Sequence, residues 1–245
     1  MFRTENALIL REVRFRESDR ILTALTADHG KMTLAAHGAL SKKSRIAAGT
    51  QQLTWSELTL FEKNGRFAVR EAVTREAFAG LRTALEDLAL GTYIAECLEL
   101  FAAEGQPEPE LLQLGLNSLY ALSEKLAPRA KIKAAFELRL TAMEGYAPAV
   151  DVCAVCGRED VQVPAFLPDD GTVVCRDCRK ERQWVLPLSM SALEAMRRVL
   201  QITPKKMLSF SLDEADLQLL GKVTESWLLR CSGREIPSLE YYKKL

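Results

Sequence analysis

The sequence predicts a multi-domain α+β protein in which a five-stranded closed barrel precedes an all-α domain that carries an inserted four-cysteine element. Three observations predict this fold class: apolar and polar residues alternate through residues 6–72, helical periodicity follows, and four of the six cysteines lie between residues 153 and 178. We place the domain boundaries at residues 1–80 for the barrel, 81–150 and 181–245 for the two parts of the helical domain, and 151–180 for the insertion.

The barrel prediction rests on short segments in which apolar side chains recur at every second residue, as half-buried strands require. The first segment alternates from Ala7 to Phe15, and turn signals such as His37-Gly38 and Asn64-Gly65 separate later segments. Five such strands with a longer third connection fit the OB-fold best among the small barrels. The same alternation predicts that three phenylalanines face the interior: Phe15, Phe61 and Phe67.

Helical periodicity with recognisable start and stop residues accounts for most of the chain after residue 80. Thr83-x-x-Glu86 has the spacing of a capping box, Pro128 opens a helix, and Gly145 follows that helix where a left-handed cap is usual. Beyond the cysteines we expect one helix from Ser191 to near Pro204 and a last helix from Asp213 to Gly233.

Charge is balanced over the whole chain but unevenly distributed along it. The 33 Lys and Arg equal the 33 Asp and Glu, yet residues 1–80 hold 13 basic and 9 acidic residues, whereas residues 81–150 hold 6 and 10. A polyanion responds to the local field, so the basic barrel is a candidate for binding nucleic acid. Since no apolar run approaches the roughly 18 residues of a membrane span, we expect a cytoplasmic protein.

The cysteine spacing is the strongest chemical signal in the sequence. Cys153-x-x-Cys156 and Cys175-x-x-Cys178 are separated by eighteen residues, the first of which is Gly157. Two such pairs surround one ion with four thiolates and leave no position open for water, which is the structural kind of zinc site. The sequence therefore predicts one structural Zn²⁺ per chain in a zinc-ribbon-like element. Iron would use the same ligands, and four ordinary cysteines or a reversible disulfide would also fit the spacing.

No arrangement typical of an enzyme accompanies these cysteines. A zinc deaminase needs His-x-Glu and Pro-Cys-x-x-Cys, but neither His29 nor His37 is followed by that Glu, and no proline precedes either cysteine pair. The chain has only these two histidines and no phosphate-binding glycine motif. We expect a protein that catalyses no reaction.

Basic residues cluster in the connections of the predicted barrel. Lys42, Lys43 and Arg45, with serines between them, suit contacts to backbone phosphates. In an OB-fold, the loops after the first strand and between the last two strands border the oligonucleotide groove. The basic residues predicted there are Arg14, Arg16, Arg20, Lys63 and Arg66. Because the phenylalanines are predicted to face inward, we expect phosphate contacts rather than base stacking.

A second candidate DNA surface lies near the last helices. Bringing two complementary strands together requires charge on two surfaces or two protomers, because both strands are polyanions. The alternative is a charged face that only keeps the helix ends soluble. The candidate residues are Arg197, Arg198, Lys205 and Lys206, with Lys243 and Lys244 at the chain end.

Several short runs carry a resemblance to one protein family. The match covers residues 5–240, and the runs that carry it are Ala7–Arg11, Thr26–Lys31, His37–Arg45, Phe136–Leu140, Glu144–Pro148 leading into Cys153-x-x-Cys156-Gly157, and Gly233–Ser238. In these residues the chain resembles the RecO family, the recombination mediators of the bacterial RecF repair pathway. The resemblance adds Lys31 to the candidate DNA-binding residues.

The resemblance implies a fold and a function. It implies an N-terminal OB-fold, a helical domain and a zinc-ribbon-like insertion in a cytoplasmic, nucleoid-associated DNA repair protein. Members of the family bind single- and double-stranded DNA, anneal complementary strands, and with RecR help load RecA onto DNA coated by the single-strand-binding protein SSB. Some members also bind the C-terminal tail of SSB through the helical domain. The alternative is a zinc-ribbon and OB-fold protein that acts on RNA or in transcription.

Overall fold

The computed structural model describes residues 1–182 and 184–245 of the chain. The chain packs as two units, Met1–Glu124 with Ile236–Leu245, and Lys125–Glu235. The first two helices after the barrel pack in the barrel's unit, and the third helix packs in the other unit.

A closed five-stranded barrel forms the N-terminal part of the first unit, as predicted. Its strands pair in the order β1-β2-β3-β5-β4, and the parallel pairing of β3 with β5, through Leu34 opposite Phe67, completes the ring. Turns at Asn64-Gly65 and Gly30 have the positive φ angles that hairpins favour. The strands are β1 (Phe2–Phe15), β2 (Asp19–Thr26), β3 (Gly30–Ala36), β4 (Trp55–Lys63) and β5 (Arg66–Glu76).

The barrel interior is filled by aliphatic side chains with almost no exposure, among them Ile9, Leu22, Leu34, Leu58 and Leu60. Burial of these side chains supplies the main driving force for closing the barrel.

The predicted inward orientation of the three phenylalanines is wrong for Phe15 and Phe61. A register shift between Ile9 and Arg11 leaves Leu10 as an extra residue, and this bulge moves the second half of β1 by one position. Phe15 therefore faces outward and is 45% exposed. Because Leu60 occupies the interior, its neighbour Phe61 also lies on the outer face, while Phe67 is half-buried against the rim of the core.

Three helices complete the first unit. Helix α1 packs against β1, where Arg11 donates hydrogen bonds to both carboxylate oxygens of Glu99 at 2.8–3.0 Å. The predicted capping box is absent, because the Thr83 hydroxyl donates to the carbonyl of Gly80 and Ala84 caps α1. The helices are α1 (Leu85–Phe101), α2 (Pro109–Ser123) and α6 (Pro237–Tyr242).

The second unit combines three helices with a small sheet. Lys133 on α3 lies 2.6 Å from Glu137 and 2.7 Å from Glu225 of α5, and this largely buried cluster joins the two helices. Asp213 caps α5 and Gly233, with φ of 65°, ends it, as predicted. The helices are α3 (Arg129–Met143), α4 (Met190–Gln201) and α5 (Glu214–Ser232), and the strands, in sheet order, are β6 (Ala149–Cys153), β8 (Thr172–Val174), β7 (Ala165–Leu167) and β9 (Leu186–Pro187).

None of the helices within residues 1–182 and 184–245 combines the length and the apolar character that crossing a membrane demands.

Two glycines with similar φ angles provide a matched test of this packing. A Cβ on Gly30 would lie 2.4 Å from the carbonyl oxygen of Ala103, whereas a Cβ on Gly65 would meet no atom within 4 Å. Gly65→Ala should therefore cost only the backbone strain of about 1–2 kcal/mol. Gly30→Ala should lower the free energy of unfolding by about 3 kcal/mol or more, because backbone must also move. Urea unfolding measures both, and equal losses would contradict the packing of residues 103–106 on this turn.

Candidate metal centre and nucleic-acid interface

The four cysteines meet where two neighbouring strands end. Cys153 is the last residue of β6, and Cys175 directly follows β8, which pairs with β6 in parallel. Cys156 and Cys178 come from the turns that follow these strand ends. The four sulfur atoms all lie within 4.8 Å of one another, and Cys156 Sγ is 3.9 Å from Cys175 Sγ.

Both cysteine turns have the same backbone hydrogen bond. The N–H of Gly157 donates to the carbonyl of Cys153 at 2.9 Å, and the N–H of Arg179 donates to the carbonyl of Cys175 at 3.1 Å. Gly157 has φ of 71°, a conformation that glycine adopts without strain. The N–H of Cys175 also points at Cys153 Sγ from 3.4 Å, so the backbone helps to stabilise a thiolate there.

The cluster has the electrostatics of a cation site. Burial opposes ionisation of Cys153, but backbone N–H groups of Cys156, Cys175 and Val155 outweigh it and lower the pKa of the thiol to about 6. The N–H of Cys178 is the main cause that lowers the pKa of Cys175. The pKa of Cys178 rises to about 12, chiefly because its thiol hydrogen-bonds to the Cys175 sulfur. A bound cation would favour the thiolate form of all four.

The sulfur positions fit a tetrahedral zinc ion. Zn–S bonds of about 2.3 Å place the sulfurs of a tetrahedron about 3.8 Å apart, close to the spacing seen here. All six cysteines lie within the described residues, and none of them forms a disulfide. The donor set and its spacing are thus compatible with a structural metal centre, as the sequence predicts.

A cleft of about 810 Å³ lies on the outer face of the barrel. The cleft is lined by Ile21 of β2, by Ala35 of β3, and by residues of the loop after β1 and of the hairpin between β4 and β5. In OB-folds this face and these loops bind oligonucleotides. We call this feature the barrel cleft, and its charged and aromatic lining includes Arg16, Lys63, Arg66, Arg70, Phe15, Phe61 and Phe67.

The structure brings three of the predicted DNA-binding residues together in the barrel cleft, namely Arg16, Lys63 and Arg66. Arg14 is exposed but does not line the cleft. Arg70 lines it and was missed by the sequence prediction, although it follows the inward-facing Val69 and alternation alone would have placed it outside.

Lys42, Lys43 and Arg45 are exposed on the connection between β3 and β4. This connection begins at His37, which itself lines the barrel cleft. Asp19 anchors its start, because its carboxylate accepts hydrogen bonds from the N–H of Gly38 at 2.8 Å and from the His37 ring at 2.9 Å. The N–H of Gly38, followed by the His37 ring, lowers the pKa of Asp19.

Two other predicted residues serve the barrel's own structure. The Arg20 side chain is 12% exposed, and its guanidinium donates to the carbonyl of Ala47 at 3.1 Å and the hydroxyl of Thr50 at 3.2 Å. Lys31 donates to the carbonyl of Glu99 at 3.0 Å. The carbonyl partners of these cations lie 27 and 68 residues away in the sequence, so the sequence alone does not reveal either contact.

The second candidate DNA surface is only partly available. Arg197 donates to the carbonyls of Val150 and Asp151 at 2.9 and 2.8 Å and pairs with Glu194 at 2.6 Å, so it holds β6 to α4. Exposed basic side chains remain at Arg198, Lys205 and Lys206.

Two protein-family models match the chain. The model described as recombination protein O N terminal matches residues 1–78, and the one described as recombination protein O C terminal matches residues 82–240. A protein named DNA repair protein RecO from Acetivibrio thermocellus is 31% identical over 240 residues, which cover 98% of this chain and 96% of that relative. Its namesake from Desulforudis audaxviator is 33% identical over 245 residues, which cover 100% of this chain and 97% of that relative.

The anchoring role of Asp19 predicts a pH-dependent stability difference. Because the folded state lowers the pKa of this carboxyl, its stabilisation is complete above the unfolded value of about 3.9 and is lost as the pH falls through the folded value. Asp19→Asn should therefore lower the free energy of unfolding at pH 7, and its difference from the unaltered protein should shrink below about pH 4. Urea unfolding across this range measures the difference, and a constant difference would argue against a charged anchor.

Proposed function

Because the chain belongs to the recombination protein O family of DNA repair proteins, we propose that it is a DNA-binding recombination mediator with no enzymatic activity of its own. It binds single- and double-stranded DNA, anneals complementary strands, and acts with RecR to load RecA onto single-stranded DNA coated by SSB. Capture of the SSB tail is a further part of this proposal. The observation that carries it is the barrel cleft, which is lined by four basic side chains.

Phosphate contacts supply the affinity in this proposal. Arg16, Lys63 and Arg66 line the barrel cleft, and Lys42 and Lys43 stand exposed on the connection that starts at its edge. Each phosphate neutralised by Lys or Arg releases counterions, so binding must weaken as salt rises. Because these cations contact the sugar-phosphate backbone, we expect their contribution to the affinity to depend little on base sequence.

Replacing Lys42, Lys43 and Arg45 by Ala should weaken binding of single-stranded DNA and reduce its salt dependence. The slope of log K against log salt should fall by about 0.7 per lost contact, or about 2 in total. Fluorescence anisotropy at several salt concentrations measures the slope. The matched control replaces Lys125, Lys222 and Arg234, three exposed cations of the second unit, by Ala. An equal drop in slope in both variants would mean that the connection makes no specific contacts.

Strand annealing follows from neutralising two strands at once. Annealing of complementary strands is thermodynamically favourable, so the protein needs only to reduce the repulsion between two polyanions, and nucleotide hydrolysis is not required. The barrel cleft supplies one basic surface, and Arg198, Lys205 and Lys206 supply a second one on the other unit.

Reversing the charge of the second basic surface tests whether annealing needs a surface that binding of one strand does not need. Changing Arg198, Lys205 and Lys206 to Glu should slow annealing of complementary oligonucleotides far more than it weakens binding of either strand alone. The control variant changes Lys125, Lys222 and Arg234 to Glu. A stopped-flow fluorescence assay without ATP, with naked and with SSB-coated strands, measures the rate. Equal loss of annealing and of single-strand binding would show that one surface is responsible for both activities. A strict requirement for ATP would refute the mechanism.

Zinc, when bound by the four cysteines, supplies local folding energy rather than chemistry. Cys153, the last residue of β6, and Cys175, which follows β8, would hold the ion together with Cys156 and Cys178, and the bound ion would fix these two strand ends. The barrel does not depend on this centre, because it lies in the other unit and has its own core.

Metal analysis tests the zinc proposal directly. Protein purified without chelator should contain one zinc per chain, and Cys153→Ser or Cys175→Ser should lose it while single-stranded DNA binding at the barrel persists. Cys231→Ser is the matched control, since Cys231 lies outside the cluster and its variant should keep one zinc. Absence of zinc from the unaltered protein, or its retention in the ligand variants, would disprove the assignment.

A further inference from the structure

Three phenylalanines line the barrel cleft beside its cations. Phe15 is 45% exposed, and Phe61 and Phe67 are half-buried. A phenylalanine ring left in water forfeits the stabilisation of burial, so aromatic side chains gathered in one exposed cleft indicate a binding surface. The rings come from three strands, β1, β4 and β5, and no single local irregularity brings them together.

An arginine lies against each of these rings. The guanidinium carbon of Arg16 is 5.2 Å from the centre of the Phe15 ring, and that of Arg70 is 5.0 Å from the centre of the Phe61 ring. Arg3 lies 5.0 Å from the Phe67 ring and also pairs with Glu62 at 2.7 Å. The guanidinium groups of Arg16 and Arg70 each lie over one face of a ring, so a base would stack on the opposite face. The tilted Phe2 ring also lies next to the Phe61 ring, with the ring centres 5.1 Å apart.

A ring beside a cation matches the chemistry of one nucleotide of an unpaired strand. The base has a π-face that can stack on phenylalanine, and the phosphate of the same nucleotide carries the negative charge that the arginine attracts. In a duplex the bases are stacked inside the helix, and only the phosphates are available. The barrel cleft therefore offers more to an unpaired strand than to a duplex of the same length.

We propose that the barrel cleft binds unpaired bases by stacking them on Phe15 and Phe61, and that this stacking makes the cleft selective for single strands. This inference rests on the proposed DNA binding and extends it from phosphates to bases. The cleft volume of about 810 Å³ lies within the range of pockets that enclose ligands of small-molecule size. Stacking tolerates every base, so the cleft discriminates strand state without reading sequence.

Abasic oligonucleotides separate stacking from phosphate contacts, because they keep the backbone charge and lack the bases. With the full-length protein, an oligo-dT should bind about a hundredfold more tightly than an abasic oligomer of equal length, because each of the two stacking positions contributes about tenfold. Phe15→Ala and Phe61→Ala should each weaken oligo-dT binding by about tenfold and leave abasic and duplex binding and the salt slope unchanged. Phe15→Trp should retain the preference. Tyr120→Ala, an exposed aromatic residue of the same unit outside the cleft, is the control and should change nothing.

The possible outcomes distinguish this inference from the proposed function. Equal binding of oligo-dT and abasic oligomer by the unaltered protein, or equal loss of both in the phenylalanine variants, would overturn stacking and leave phosphate binding intact. Normal oligo-dT preference in both variants would also overturn it and would point to a protein partner for the aromatic surface. Failure of the unaltered protein to bind any of the oligonucleotides would instead refute the proposed DNA binding itself.

Discussion

Closure of the barrel around an aliphatic interior is the constraint on which the rest of the candidate interface depends. When one side chain of a strand points into the barrel interior, the next residue along the strand points to the outer face. Leu58 and Leu60 fill the interior, and Phe61 is therefore presented to solvent. The bulge at Leu10 does the same for Phe15, since it shifts β1 by one residue without opening the ring. The apolar packing thus also determines which aromatic side chains and cations share the barrel cleft.

The adjacent ends of two parallel strands organise the four-cysteine cluster. Parallel pairing of β6 with β8 places Cys153 close to Cys175. The turn after each of these two cysteines brings a second cysteine sulfur to the same place. Short strands such as β7 and β8 offer little hydrophobic area, so an ion is an effective way to stabilise such an element. The two sites belong to separate units, and each can be perturbed without removing the other's core.

Local sequence signals anticipated much of this architecture. The Asn64-Gly65 hairpin, the cap at Asp213 and the glycine that ends α5 are decided by residues within a few positions of one another, and they agree with the structure. The two cysteine pairs could also be recognised from the spacing of residues that are close together in the sequence. Their spacing predicted a four-sulfur cluster, and the sulfur atoms do converge. Such features need no knowledge of the rest of the fold.

Features that depend on distant partners were not predictable. The roles of Arg20, Lys31 and Arg197 follow from carbonyl groups elsewhere in the chain, and nothing beside these residues in the sequence distinguishes them from solvated cations. The bulge at Leu10 is likewise invisible in a run of four apolar residues, where either alternation phase is acceptable. This ambiguity placed Phe15 inside the barrel and, together with the inward prediction for Phe61, removed base stacking from the expected binding mode.

Amide hydrogen exchange of the full-length protein, with and without a saturating oligo-dT, tests most directly whether the barrel cleft is the single-strand site. The oligonucleotide should slow exchange in residues 15–21, 35–45 and 61–70, which form the cleft and the basic connection. Exchange in residues 153–178 should be unchanged. Protection confined to the second unit, with none in these three segments, would contradict the assignment of single-strand binding to the barrel.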